Sequence, residues 1–125
     1  MYEYYNSNPS QNRVGDCVIR ALTKAVGKDW QDVYIDLCIE GYMSSDMPSA
    51  NYVWGNYLKK NGFKRGVIPS ECPECYTIED FANEHPNGTY VLGTGTHAVA
   101  VCDGVICDAW DSSREQPIYY YYKGE

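Results

Sequence analysis

Residues 93–110 read GTGTHAVAVCDGVICDAW, and this stretch decides the fold. Asp103-Gly104 is the two-residue signal of a type I′ turn, whose twist suits a β-hairpin. It predicts one strand over His97–Cys102 and a second over Val105–Trp110. A two-residue turn pairs Cys102 with Val105. That register sets His97 opposite Trp110, with Asp108 two positions away on the diagonal and on the same face. Diagonal neighbours in a sheet stand about 7–8 Å apart at the backbone, a gap that side chains close. An imidazole therefore heads an apolar strand with a carboxylate in reach. Asp111 alternates to the other face and is the weaker partner. Before His97, Gly93-Thr-Gly-Thr96 reads as a flexible wall of a cleft, with Gly95 at its centre.

Working outward, Thr89–Gly93 and Ile118–Tyr122 read as further strands. The tyrosine run at 119–122 suits an edge strand with alternating faces, or a tyrosine-lined partner surface. Helices precede the strands. Val18, Ile19, Leu22 and Val26 recur at helical spacing after Asp16, and Gly27 ends that run as a C-terminal cap. Asp29 offers an N-cap to a second helix striped by Trp30, Val33, Tyr34, Leu37 and Cys38, which Gly41 is expected to stop. A third helix spans Tyr52–Lys60 and closes at Asn61-Gly62, and Phe63–Ile68 is a short strand. Thr77-Ile-Glu-Asp80 is a capping box, with Asp in place of Glu, opening a fourth helix before Pro86. Helices first and strands after imply an α+β fold, with N-terminal helices packed on a C-terminal antiparallel β-sheet. Residues 1–125 fit one domain, with 1–10 a polar lead-in.

Composition narrows the function. The net charge is −7, and an acidic surface repels phosphate backbones, so nucleic acid is excluded as the expected partner. No segment approaches the roughly 20 apolar residues of a membrane helix, and the polar N-terminus has no signal-peptide pattern. A cytoplasmic location is the expectation, with no membrane partner. Most of the six cysteines are then expected as free thiols. Cys38, Cys102 and Cys107 sit in apolar patterns and read as small core residues. Cys72-Pro-Glu-Cys75 has zinc-knuckle spacing, but a structural zinc needs four ligands and no second pair exists. It reads as a proline-bearing loop, so no metal and no cofactor is expected. His85, between Glu84 and Pro86 at a helix end, reads as structural. Thirteen tyrosines against three tryptophans and two phenylalanines point to a thinly covered core, an interaction surface, or both.

The chemistry gathers on Cys17. It stands at the start of the first helix, where unpaired N–H groups and the dipole favour a thiolate. Gly15 before it lets another chain approach closely. With His97 as base and Asp108 to orient it, the three make a nucleophile, a base and an orienting group. Gln11, six residues before Cys17, carries an amide suited to an oxyanion. Trp110 walls the cleft, shields the His–Asp pair from water, or belongs to the core.

Gln11, five residues, then Cys17 at a helix start, with a later His heading a strand and an acid on the next, resembles the papain-like cysteine peptidase superfamily. Asp16-Cys17 and the small size are most similar to compact domains that process bacteriocin leaders, and to related bacterial and phage-encoded domains. The resemblance covers about residues 11–110. Val14-Gly-Asp-Cys-Val18 departs from it: plant-type members have Cys-Gly-Ser-Cys-Trp, and the leader-processing domains usually have Gly where Val18 stands. The resemblance implies Cys17 as nucleophile, His97 as base, Asp108 as orienting group and Gln11 in the oxyanion hole. Gly15, Asp16, Gly95 and Trp110 would lie along the substrate cleft. The implied function is a cysteine peptidase or amidase acting on a peptide or protein through a thioester. The alternative is a catalytically silent binding module on the same fold, from a phage or mobile element.

Overall fold

The computed structural model describes residues 1–68 and 75–123. In chain order they form β1 (Tyr2–Tyr4), α1 (Cys17–Val26), α2 (Trp30–Ser44), α3 (Asn51–Lys60), β2 (Lys64–Val67), α4 (Ile78–Glu84), β3 (Thr89–Gly93), β4 (Ala98–Cys102), β5 (Val105–Asp108) and β6 (Tyr119–Lys123). Among the described residues this is an α+β chain with four helices and a six-stranded mixed sheet, ordered β1-β5-β4-β3-β6-β2.

Local signals act as their chemistry predicts. Gly27 ends α1 at φ 76° and donates its N–H to Thr23 O at 3.0 Å. Thr77 and Asp80 form a reciprocal capping box at α4. Asp103 and Gly104 take positive φ, 50° and 78°, and the hairpin pairs Cys102 with Val105.

Four expectations need correction. Helix α2 passes through Gly41 and ends at Ser44, capped by Ser45 at φ 55°. Gly41 serves close packing instead of termination, because a Cβ there would stand 2.8 Å from Asp46 O. The sheet is neither wholly antiparallel nor wholly C-terminal. Strand β1, inside the supposed lead-in, runs parallel to β5, with Tyr2 beside Ile106 and Tyr4 beside Asp108. Backbone pairing to an exposed strand edge needs no side-chain alternation, so the sequence carried no pattern for it. Strand β6 is not an edge, since it lies between β3 and β2. Cys38 is exposed rather than core, because the buried face of α2 falls on Val33, Leu37, Glu40 and Gly41. The loop reading of Cys72-Pro-Glu-Cys75 falls on 69–74, outside the described residues, except for Cys75, which lies in a turn and is disulfide-bonded. No metal-ligand cluster occurs among the described residues, and no helix there is long and apolar enough to cross a membrane.

The sheet is covered on both faces. Ala98 and Ala100 of β4 join Val91, Tyr119 and Tyr121 beneath α1, α2 and α3, which contribute Leu22, Leu37, Trp54 and Leu58. Val99 and Val101 point the other way and pack with Leu92 and Ile106 against Ile78, Phe81 and Ala82 of α4. The alternation of Ala and Val along β4 matters for the site. Small residues face α1, so the helix bearing Cys17 settles close to the strand that follows His97.

Leu22, fully buried on α1, anchors that contact. Leu22→Ala is expected to lower the unfolding free energy by about 2–5 kcal/mol, read as a shift in the urea midpoint. A shift under about 0.5 kcal/mol, the size of an ordinary surface substitution, would show that α1 is not locked to the sheet here.

Candidate active site

Cys17 is the first residue of α1. Asp16, the preceding N-cap, makes no side-chain capping bond, so the first-turn N–H groups have no side-chain partner from it. Its carboxylate turns inward and accepts from Arg20 and from Trp30 Nε1, the latter at 2.9 Å. Asp16 thus borders the cleft while its charge is taken up by the protein.

His97 ends a tight turn. Thr94 N–H donates to His97 O at 2.9 Å, and His97 N–H donates to Thr94 Oγ1 at 3.1 Å. Gly95 allows the turn at φ 99°, a conformation that side chains disfavour. The β4–β5 pairing ends at Ala100 with Cys107, so His97 and Asp108 stand just past that ladder. Their side chains meet, with His97 Nε2 and Asp108 Oδ2 2.7 Å apart. The other ring nitrogen, Nδ1, is not used by Asp108, and the imidazole lies near enough to the Cys17 sulfur to favour its thiolate. Trp110 lies against the imidazole with ring centroids 4.8 Å apart, and it is not part of the hydrophobic core.

Asp108 is 2% exposed and well satisfied. Oδ2 also accepts from Ser112 Oγ at 2.7 Å. Oδ1 accepts from Ala109 N–H at 2.7 Å and from Arg20 Nη2 at 3.2 Å. Burial pushes its carboxyl up, but the bonds from His97 and Ser112 outweigh this and hold it below the usual carboxylate value. Burial likewise opposes charge on His97, yet its bonds to Asp108 and Cys17 carry its pKa up to about 9. Burial also raises the Cys17 thiol. The bonds from His97 and the Ala98 N–H, with the charges of His97 and Arg20, bring it below its ordinary value. Both shifts run toward the thiolate–imidazolium form of the pair. By contrast, burial lifts Cys102 to about 11 and raises Cys107.

A cleft of about 410 Å³ opens on the sulfur. Gly15, Gly95, Thr96 and His97 border it, and Tyr34, Cys38 and Trp54 add an apolar wall. A Cβ on Gly15 would meet nothing within 4 Å, so that side is open to a ligand. The structure does not bring Gln11 here. At φ 57° its Nε2 donates to Asn6 O and Asn8 O, both at 3.1 Å, and the residue does not line the cleft. Sequence reasoning missed Arg20 and Ser112. An Asp16–Arg20 spacing of one helical turn, with Arg20 among apolar neighbours, is the signal that marks Arg20. Ser112 lies in a loop without pattern.

No family model matches the chain, and no curated protein or solved structure matches it.

Iodoacetamide is expected to modify Cys17 at pH values below the ordinary thiol pKa of about 8.5, ahead of the exposed Cys38. Reactivity falls as pH drops through the lowered Cys17 value and the thiolate takes a proton. Above about 9 the imidazolium is lost and the pair with it. Peptide mass mapping of the labelled sites checks this. Faster labelling of Cys38 near pH 6 would contradict the ion pair.

Proposed function

We propose that this chain is a cysteine-dependent hydrolase of amide bonds in peptides or proteins, with a papain-like arrangement of helix and sheet. The supporting observation is one imidazole shared between the Cys17 sulfur and the buried Asp108 carboxylate, at the floor of an open cleft. The Cys17 thiolate attacks the substrate carbonyl carbon, forming a C–S bond and a tetrahedral oxyanion. The Cys17 N–H, in the first helical turn, faces that oxygen as a donor. His97 gives its proton to the leaving nitrogen as the C–N bond breaks, leaving a thioester. Neutral His97 then takes a proton from water, whose oxygen attacks the thioester carbonyl. Release of the acid restores thiolate and imidazolium. Asp108 holds the ring in one orientation throughout.

This reading gives Gln11 no oxyanion role, since its amide is bonded within its own loop. Removing an oxyanion donor lowers turnover about 10²–10³-fold. Gln11→Ala is expected to lower it less than about tenfold, and a larger loss would place the amide at the oxyanion after all.

A second reading has one observation in its favour. Ile35, Ile39, Tyr42 and Met43 form an exposed apolar stripe on α2, suited to a protein partner without catalysis. An activated ester such as p-nitrophenyl acetate separates the two. Catalysis predicts an acyl group on Cys17 by mass spectrometry, absent in Cys17→Ala and formed about 10²–10⁴-fold more slowly in His97→Gln. Equal acylation of Cys38 and Cys17, untouched by His97→Gln, would favour the binding module.

A further inference from the structure

Arg20 has no direct task in that chemistry, yet it is buried beside it. Its Nη1 pairs with Asp16 Oδ1 and its Nη2 reaches Asp108 Oδ1 at 3.2 Å. Arg20, Asp16 and Asp108 are 6%, 5% and 2% exposed. Trp30 Nε1 holds Asp16 from the far side. Arg20 Nε is buried with no hydrogen-bond partner among the described residues, so the guanidinium is held by its terminal fork.

These contacts close a ring. Cys17 and Arg20 lie one turn apart on α1. Arg20 grips Asp108 at the end of β5, Asp108 holds His97 Nε2, and His97 returns to the Cys17 sulfur. Without Arg20, Asp108 keeps its bonds from His97, Ser112 and Ala109, but none of these comes from the helix that carries the sulfur. We propose that Arg20 is a positioning residue, which clamps Asp108 to α1 and so keeps the His97 imidazole aligned with the Cys17 sulfur. The proposal rests on the reading of Cys17 and His97 as a reactive pair.

Charge runs the same way as geometry. Asp16, Arg20, Asp108, His97 and Cys17 alternate in sign along the chain of contacts. The ionisable groups around the sulfur are Asp16 from the N-cap of α1, Arg20 from α1, His97 from the turn before β4, Asp108 from β5, and Tyr34 and Cys38 from α2. Helix α3 contributes only Asn51 and Trp54 to the cleft. Arg20 and His97 are the two cations in this set. Burial opposes the thiolate, and the charges of His97 and Arg20 favour it. A neutral residue 20 leaves two buried carboxylates against one cation.

The test uses the full chain and iodoacetamide, with the Cys17 labelling rate followed by mass mapping from about pH 5 to 10. In Arg20→Gln the midpoint is expected to rise by about one unit, so labelling near pH 6 slows about tenfold. Arg20→Lys keeps the charge without the fork and is expected to fall between Arg20→Gln and the native chain. Urea midpoints measured in parallel separate stability from alignment. If Arg20→Gln does not fold, Trp30→Phe, which removes a donor to Asp16, the anchor of Arg20, with no change of charge, is expected to shift the midpoint in the same direction by less. A destabilised but folded variant with an unmoved Cys17 midpoint overturns the positioning role alone. A native midpoint at the ordinary thiol value overturns the reactive pair and the positioning role together.

Discussion

A carboxylate taken out of water must be surrounded by donors, and Asp108 is where this chain meets that demand. Breaking one partner of a buried charge pair typically destabilises by about 3–5 kcal/mol, so each of its contacts constrains the element that supplies it. His97 comes from the turn before β4, Arg20 from α1, and Ser112 and the Ala109 N–H from the segment after β5. The backbone carbonyl of Asp108 accepts from Tyr5 N–H at 2.7 Å and from the Tyr2 hydroxyl at 3.1 Å. The N-terminal segment, the first helix and the hairpin therefore converge on one residue.

That convergence explains the state of the sulfur. A thiol half-buried beside an apolar wall is disfavoured as a thiolate by desolvation, and burial does act that way on Cys17. The imidazole reverses the sign, because Asp108 keeps it charged. The same burial without an imidazole lifts Cys102 to about 11. Two cysteines of similar exposure thus differ in chemistry through their neighbours. Trp110 against the ring and the Ala98 N–H toward the sulfur complete the environment.

Packing supplies the alignment that charge alone does not. Alanines on the α1 side of β4 let the helix approach, and valines on the other side fill the space under α4. Larger residues at Ala98 or Ala100 would lift α1 and carry Cys17 away from the imidazole. The cleft is walled by Tyr34 and Cys38 of α2, Trp54 of α3, and Gly95 and Thr96 of the turn before β4.

The sequence by itself determined the elements that rest on local rules. Gly27 caps a helix because it alone tolerates a left-handed residue freely, Asp103-Gly104 sets a hairpin register, and Thr77 with Asp80 closes a capping box. From that register followed the proximity of His97 and Asp108, and from the helix start the exposure of Cys17 to free N–H groups. Tertiary structure decided what depends on distant partners. A three-residue strand at the N-terminus, the inner place of β6, the passage of α2 through Gly41 and the outward turn of Cys38 carry no local signature. Gln11 turned to its own loop, and Arg20 turned to Asp108, because hydrogen-bonding groups bind whichever partners the fold brings near. Periodicity along the chain reports which face is apolar; only the assembled layers report which buried charge answers another.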